Sequence, residues 1–130
     1  MKRACIDTHA LIWHATSPKR LGRAAARWLR DADAGRAQIS IPAIVAIELT
    51  LLREAGRKVL GPEQVEVLLD AGPFLLEPLD RAHAREFARL ETVADPFDRM
   101  IIAAARAMDL PLITADENVT ASALVTTIWD

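Results

Sequence analysis

The sequence predicts a three-layer α/β/α sandwich on a short, mainly parallel sheet of about five strands, and three observations carry that prediction. Short apolar runs alternate with longer helical segments, which is the chain order of a parallel sheet with helical crossovers. The short runs are apolar at successive positions, as in strands buried on both faces. The longer segments open at Pro or Asp and close at Gly, the residues that punctuate helices.

Ala4–Ile6 reads as the first strand. Ser17-Pro18 or Gly22 opens a helix that runs through Ala24–Ala34 to Gly35. Gln38–Ile41 is the second strand, and Pro42 fits the first helical position of Ala43–Ala55, closed by Gly56. Pro62 opens Glu63–Ala71, closed by Gly72, and Phe74–Leu76 is the third strand. Asp80 caps Ala82–Glu91, and Asp95-Pro96 caps Phe97–Met108. Leu112–Thr114 and Thr126–Trp129 complete the sheet. Ligands of open parallel sheets sit beyond the carboxyl ends of the strands, so chemistry is expected in the residues that follow them.

A chain of 130 residues with 52% apolar and 26% charged residues is expected to form one domain over residues 1–130. That composition excludes a disordered tail, a collagenous rod and a highly basic nucleic-acid coat. No apolar run approaches the ~18 residues of a bilayer span. Ala4-Cys5-Ile6 is too short for a signal-peptide core, and the single cysteine, Cys5, leaves no intrachain disulfide or cysteine zinc site. A cytoplasmic protein is the expectation. Residues 1–60 carry 11 basic and 5 acidic side chains, residues 61–130 carry 5 and 13, and 13 of the 16 basic residues are Arg. Arginine suits bidentate phosphate contacts, although a solvated helix face explains any single one more simply.

Four acids stand where structure alone explains them poorly. Asp7 and Asp116 directly follow strands, where each would also serve as a helix N-cap. Glu48 lies in Ala43–Leu52, apolar at eight of ten positions. Its helical neighbours Ile44, Val45, Leu51 and Leu52 are all apolar, so the carboxylate is expected on a largely buried stripe. An ionised group there needs an Arg partner, a hydrogen-bond donor or a metal. Asp98 falls at the third helical position after Asp95. The helix dipole favours an acid there, but not its alignment with Ile101 and Ile102. Four carboxylates without Cys, and without a His pair at ligand spacing, favour a hard divalent cation, Mg²⁺ or Mn²⁺.

These residues resemble the PIN-domain nucleases, and specifically the VapC-like toxin ribonucleases of type II (VapBC) toxin–antitoxin pairs. The likeness rests on Ile6-Asp7-Thr8-His9-Ala10-Leu11-Ile12-Trp13, on Glu48, on Asp95-Pro96-Phe97-Asp98-Arg99-Met100-Ile101-Ile102-Ala103-Ala104-Ala105, on Leu112-Ile113-Thr114-Ala115-Asp116 and on a last strand ending at Ile128-Trp129. It spans the whole chain. By position, Asp7, Glu48, Asp98 and Asp116 look like the family's catalytic quartet. The resemblance makes Asp7 and Asp98 the direct metal ligands, with Glu48 and Asp116 acting through water or a second ion, and it gives Asp95 no ligand role. It gives Thr8 and Thr114 supporting hydroxyls and places the first and fourth strands side by side. His9 stands where many relatives carry Asn or Ser.

The implied activity is endoribonucleolytic hydrolysis of RNA phosphodiesters by a metal-activated water, with Arg20, Arg23, Arg27 and Arg30 expected to guide the RNA backbone. The implied partners are a cognate antitoxin, whose tail would cross the acidic pocket, and a second copy of the chain in a homodimer. Trp13 and Trp28 mark the expected partner-contact faces unless both are core. Two other readings stay open from the residues: a catalytically silent PIN-like interaction module, and another Mg-dependent phosphate hydrolase. An aspartate-nucleophile phosphatase would need Asp where His9 stands, and no nucleotide-binding glycine motif occurs.

Overall fold

Ala4, Cys5 and Ile6 are all fully buried. Successive strand residues point to opposite faces, so this strand must be covered on both sides. In the computed structural model, which describes residues 1–130, it is the central strand. β1 (Lys2–Ile6), β2 (Ala37–Pro42), β3 (Phe74–Glu77), β4 (Leu112–Ile113) and β5 (Thr127–Ile128) form one sheet in the order β3-β2-β1-β4-β5. Every pairing is parallel. The chain lays β2 and β3 on one side of β1, then returns to lay β4 and β5 on the other. The strand order therefore reverses between β1 and β4, and the carboxyl ends of that pair open the crevice where such sheets bind ligands.

Seven helices surround the sheet: α1 (Thr8–Thr16), α2 (Arg23–Asp33), α3 (Ala43–Glu54), α4 (Pro62–Asp70), α5 (Arg81–Arg89), α6 (Pro96–Ala107) and α7 (Glu117–Ser122). Ile39, Ile41, Leu112 and Ile113 of the strands join Leu11, Leu29, Val45, Leu49 and Ile102 of the helices in one buried cluster. Truncating one of these, Ile39→Ala for example, is expected to cost about 2–5 kcal/mol. No helix is long and apolar enough to cross a membrane.

The five strands and the helices with clear Pro, Asp and Gly boundaries fall where expected. Ser17-Pro18 opens only a 3₁₀ turn, Pro18–Arg20, and Gly22 is the N-cap of α2. Gly22 is required by close approach, because a Cβ there would lie 2.4 Å from the Trp129 carbonyl oxygen. That carbonyl accepts from the Ala25 amide at 3.0 Å and seats the end of the chain on α2. Pro42 is not the first helical residue but the last of β2, with extended ψ of 140°. Asp7 and Asp116 do act as N-caps, of α1 and α7, but neither helix has its bounds among the expected elements. α1 buries Thr8, Ala10, Leu11 and Ile12, a nearly consecutive set without the 3.6-residue period that marks an amphipathic helix. α7 spans six residues, too few for that period to show.

Candidate active site

The register of β1 on β4 builds the first half of the site. Ile6 pairs with Ile113, the Asp7 amide donates to the Ile113 carbonyl at 3.1 Å, and Asp7 and Thr114 leave the sheet side by side. The buried Thr114 hydroxyl donates to Asp7 Oδ2 and accepts from the Asp116 amide at 3.1 Å, tying the two acids together. Asp7 Oδ1 accepts from the Ala10 amide at 2.9 Å and caps α1. Asp116 Oδ1 accepts from the Asn118 and Val119 amides at 2.8 and 3.2 Å and caps α7, while its Oδ2 makes no hydrogen bond. Helix capping and membership of the acidic set are thus one arrangement: the cap fixes the carboxylate, and lone pairs remain for a ligand.

The helices supply the other half. Glu48 is half-buried on α3 and accepts from the Thr8 hydroxyl at 2.5 Å through Oε1. It has no Arg partner. Its stripe is narrower than the sequence suggests: Ile44 and Val45 are buried, but Leu51 is 48% exposed and Ile47 51%. Asp95 is spent on capping α6, accepting from the Asp98 amide at 3.0 Å. Asp98, half-buried in the first turn, shares with Asp116 a hollow of about 320 Å³ also lined by Asp95 and Val119.

Charge shows how these acids stand to one another. Burial pushes the Asp98 carboxyl up to about 6, helped by the negative charges of Asp95, Asp116, Glu48 and Asp7. Burial also raises Asp7, with Asp116 adding to the rise and the Thr114 hydroxyl, the Ala10 amide and the nearby His9 opposing it. None of the four quartet acids joins an ion pair. The hollow itself is lined by Asp95, Asp98 and Asp116 with no basic side chain, and Asp7 and Glu48 lie outside its lining but near enough for their charge to act on Asp98. Oxygen donors of this kind fit a hard divalent cation. No three quartet oxygens lie within 4.8 Å of one another.

Only Glu77, Asp80 and His83 bring three ligand atoms within 4.8 Å, a set that the sequence reading did not single out. Its signal is the spacing of three between an acid, an acid and a histidine, running from the end of β3 into α5. Asp80 caps α5 through the His83 amide at 3.1 Å and holds His83 Nδ1 at 2.6 Å. Buried His83 Nε2 has no partner. The set is a helix cap with a buried imidazole latched to it. A larger hollow, about 740 Å³ around Arg106, Pro111 and Thr126, lies at the amino ends of β4 and β5 and holds none of the quartet.

A parallel α/β sheet carrying carboxylates without counter-charge at its reversal point defines a class: α/β proteins with an acidic crevice. The PIN domain family model matches residues 4–123, and the chain belongs to the PIN domain family. No curated protein matches the sequence. Among solved structures, VapBC2 of Rickettsia felis bound to a DNA fragment from its promoter superposes with a TM-score of 0.75 at 14% identity, covering 98% of this chain and 99% of that one. A toxin–antitoxin complex from Klebsiella pneumoniae gives 0.64 at 21% identity over 92% of each chain. VapBC-5 of Mycobacterium tuberculosis gives 0.62 at 20% over 98% of each. At these identities the likeness is one of fold.

Proposed function

We propose that this protein is a metal-dependent endoribonuclease, the toxin of a toxin–antitoxin pair, that hydrolyses RNA phosphodiesters. The observation that carries the reading is that Asp7, Glu48, Asp98 and Asp116, around the sheet's reversal point in a PIN domain, have no basic side chain paired with them. Asp7 and Asp98 would hold the ion directly, with Glu48 and Asp116 contributing through water or a second ion. A Mg²⁺ or Mn²⁺ ion, when bound, supplies positive charge to the scissile phosphate and lowers the pKa of a coordinated water.

The chain's own residues do the positioning. Thr114 and the Ala10 amide hold both oxygens of Asp7 in place. Thr8 orients Glu48 toward α1. The amides at the start of α7 fix Asp116 with one oxygen turned free. Such pre-set geometry means that little reorganisation is needed when substrate arrives.

The toxin assignment draws on the fold shared with the VapBC and Klebsiella structures. An antitoxin that inserts a basic side chain into the acidic hollow suits the charge there. Exposed Ile47 and Leu51 on α3 offer apolar surface for the homodimer. The deciding experiment measures cleavage of a mixed RNA pool by wild type, Asp7→Asn and Asp98→Asn, each with Mg²⁺, Mn²⁺ or chelator. Cleavage that needs the metal and both acids supports the reading. Cleavage that survives chelator or both substitutions overturns it.

A further inference from the structure

Beside the quartet lies a second groove that the reaction just described does not use. Two helices leading away from the acids form its walls. On α1, Thr8 bonds Glu48, and Ile12 and Thr16 follow at four-residue steps with His9 and Trp13 next to them. On α3, Leu52 stands one turn beyond Glu48. Arg57 and Lys58, just after Gly56, and Arg20 of the 3₁₀ turn complete a groove of about 600 Å³. Gly56 takes φ +85°, a left-handed conformation that ends α3 and turns the chain so that Arg57 and Lys58 follow.

The groove is cationic, and its cations are unspent. Arg20, Arg57 and Lys58 are exposed and make no ion pair, whereas Lys2, Arg36, Arg89 and Arg106 all have carboxylate partners. The Arg20 guanidinium lies 4.2 Å over the Trp13 ring. A guanidinium over an aromatic ring keeps its N–H donors for other partners, a state suited to a phosphate or a base edge. Exposed His9 stands 6.2 Å from the same ring and close enough to Asp7 to act on its charge.

The other arginines expected to guide RNA lie elsewhere. Arg23, Arg27 and Arg30 belong to α2 and do not line this groove. That helix ends where Asp31 binds Lys2, at the amino end of β1, opposite the quartet.

We propose that the groove between α1 and the end of α3 is the nucleotide subsite of this enzyme. It would hold single-stranded RNA next to the scissile bond, with Arg20, Arg57 and Lys58 on the flanking phosphates and the Trp13–Arg20 stack against a base. This inference rests on the ribonuclease reading. The four carboxylates repel an incoming polyanion, and a groove that starts at His9, two residues from Asp7, and carries its cations beyond the carboxyl ends of α1 and α3 supplies attraction for the flanking phosphates. A groove lined by an aromatic ring and exposed cations suits unpaired nucleotides, which stack and bend, better than a duplex.

The test compares wild type with two triple variants in cleavage of a short single-stranded RNA, and compares binding of the same RNA by anisotropy in an Asp98→Asn background. Arg20→Ala/Arg57→Ala/Lys58→Ala is expected to raise KM by about tenfold or more with kcat within about twofold. It should also reduce the slope of log affinity against log salt by about 2, near 0.7 per lost phosphate contact. Arg23→Ala/Arg27→Ala/Arg30→Ala is expected to leave KM and slope near wild type. Arg20→Lys should keep the slope while weakening binding about threefold, since it retains the charge and loses the fork. If wild type cleaves RNA and the groove triple matches it, or the α2 triple weakens binding as much, the subsite is overturned while the ribonuclease reading stands. A groove triple that loses only a protein partner has the same consequence. If wild type neither binds nor cleaves RNA with any divalent cation, the ribonuclease reading fails and the subsite with it.

Discussion

Glu86 and Asp98 sit on adjacent packed helices, α5 and α6, and are held in opposite ways. Glu86 receives Arg106 Nε at 2.9 Å and Arg89 Nη1 at 3.2 Å, which hold its carboxyl below the usual glutamate range, with the Arg106 bond the leading cause. Asp98 has no cation, and burial among other acids pushes it up to about 6. One carboxylate is compensated by its own fold, while the other awaits charge from outside. Counting acids does not separate structure from function here. Whether the fold completes them does, and perturbed, uncompensated groups in a crevice are the more informative kind.

The largest expected effect is on activity. Asp98→Asn should lower RNA cleavage by at least about a hundredfold, beyond the 10–100-fold typical of losing a supporting residue, while Glu86→Gln leaves it within about twofold. Equal losses in the two would erase the distinction. A smaller effect tests the support beneath the site. Thr114→Val removes the hydroxyl that ties Asp7 to Asp116 and should reduce cleavage about tenfold or more. Cleavage by Thr114→Val at the wild-type rate would show that the tie is dispensable.

Stability should move the other way. Without added metal at pH 7.5, Asp98→Asn is expected to stabilise the protein by about 1 kcal/mol, the pKa shift discounted for a half-exposed group. Glu86→Gln should lower the Tm, because two guanidinium groups lose the negative charge they pair with and one of its two oxygens. A destabilised Asp98→Asn would mean that the charge is already compensated.

The smallest effect is in the pH dependence. Asp98 has a folded pKa above its unfolded value near 3.8, so the folded state binds its proton more tightly. Its contribution to stability is complete below pH 3.8 and disappears as pH rises through about 6. Glu86, with a lowered folded pKa, contributes above its unfolded value near 4.5 and loses that as pH falls. Thermal melts without metal should therefore show a decline in stability between about pH 4 and 6 that Asp98→Asn flattens and Glu86→Gln does not.

Much of this was legible in the sequence. Buried parallel strands announce themselves as continuous apolar runs, and Asp80, Asp95, Gly35, Gly56 and Gly72 mark helix ends by local backbone chemistry. Glu48 and Asp98 stood out as acids on apolar helix faces, and Asp7 and Asp116 as acids at the carboxyl ends of strands. What the sequence could not show depends on contacts distant along the chain. The Thr114–Asp7 bond spans 107 residues and the Thr8–Glu48 bond 40, and no local pattern encodes either. The bounds of α1 escaped because its buried residues, Thr8, Ala10, Leu11 and Ile12, run almost consecutively and show no helical period. Leu51 looked buried because an apolar residue on a surface patch reads the same as one in a core. The groove cations were equally hidden: Arg57 and Lys58 are ordinary loop residues until α3 turns them toward Arg20.

The most direct test of the uncompensated hollow is calorimetric titration of Mn²⁺ into metal-free protein at pH 7.5, using wild type, Asp7→Asn, Asp98→Asn and Glu77→Gln. The account predicts saturable binding in wild type and Glu77→Gln and at least about tenfold weaker binding in the two aspartate variants. Binding that is absent from wild type, or that is lost in Glu77→Gln and retained in Asp98→Asn, would contradict it.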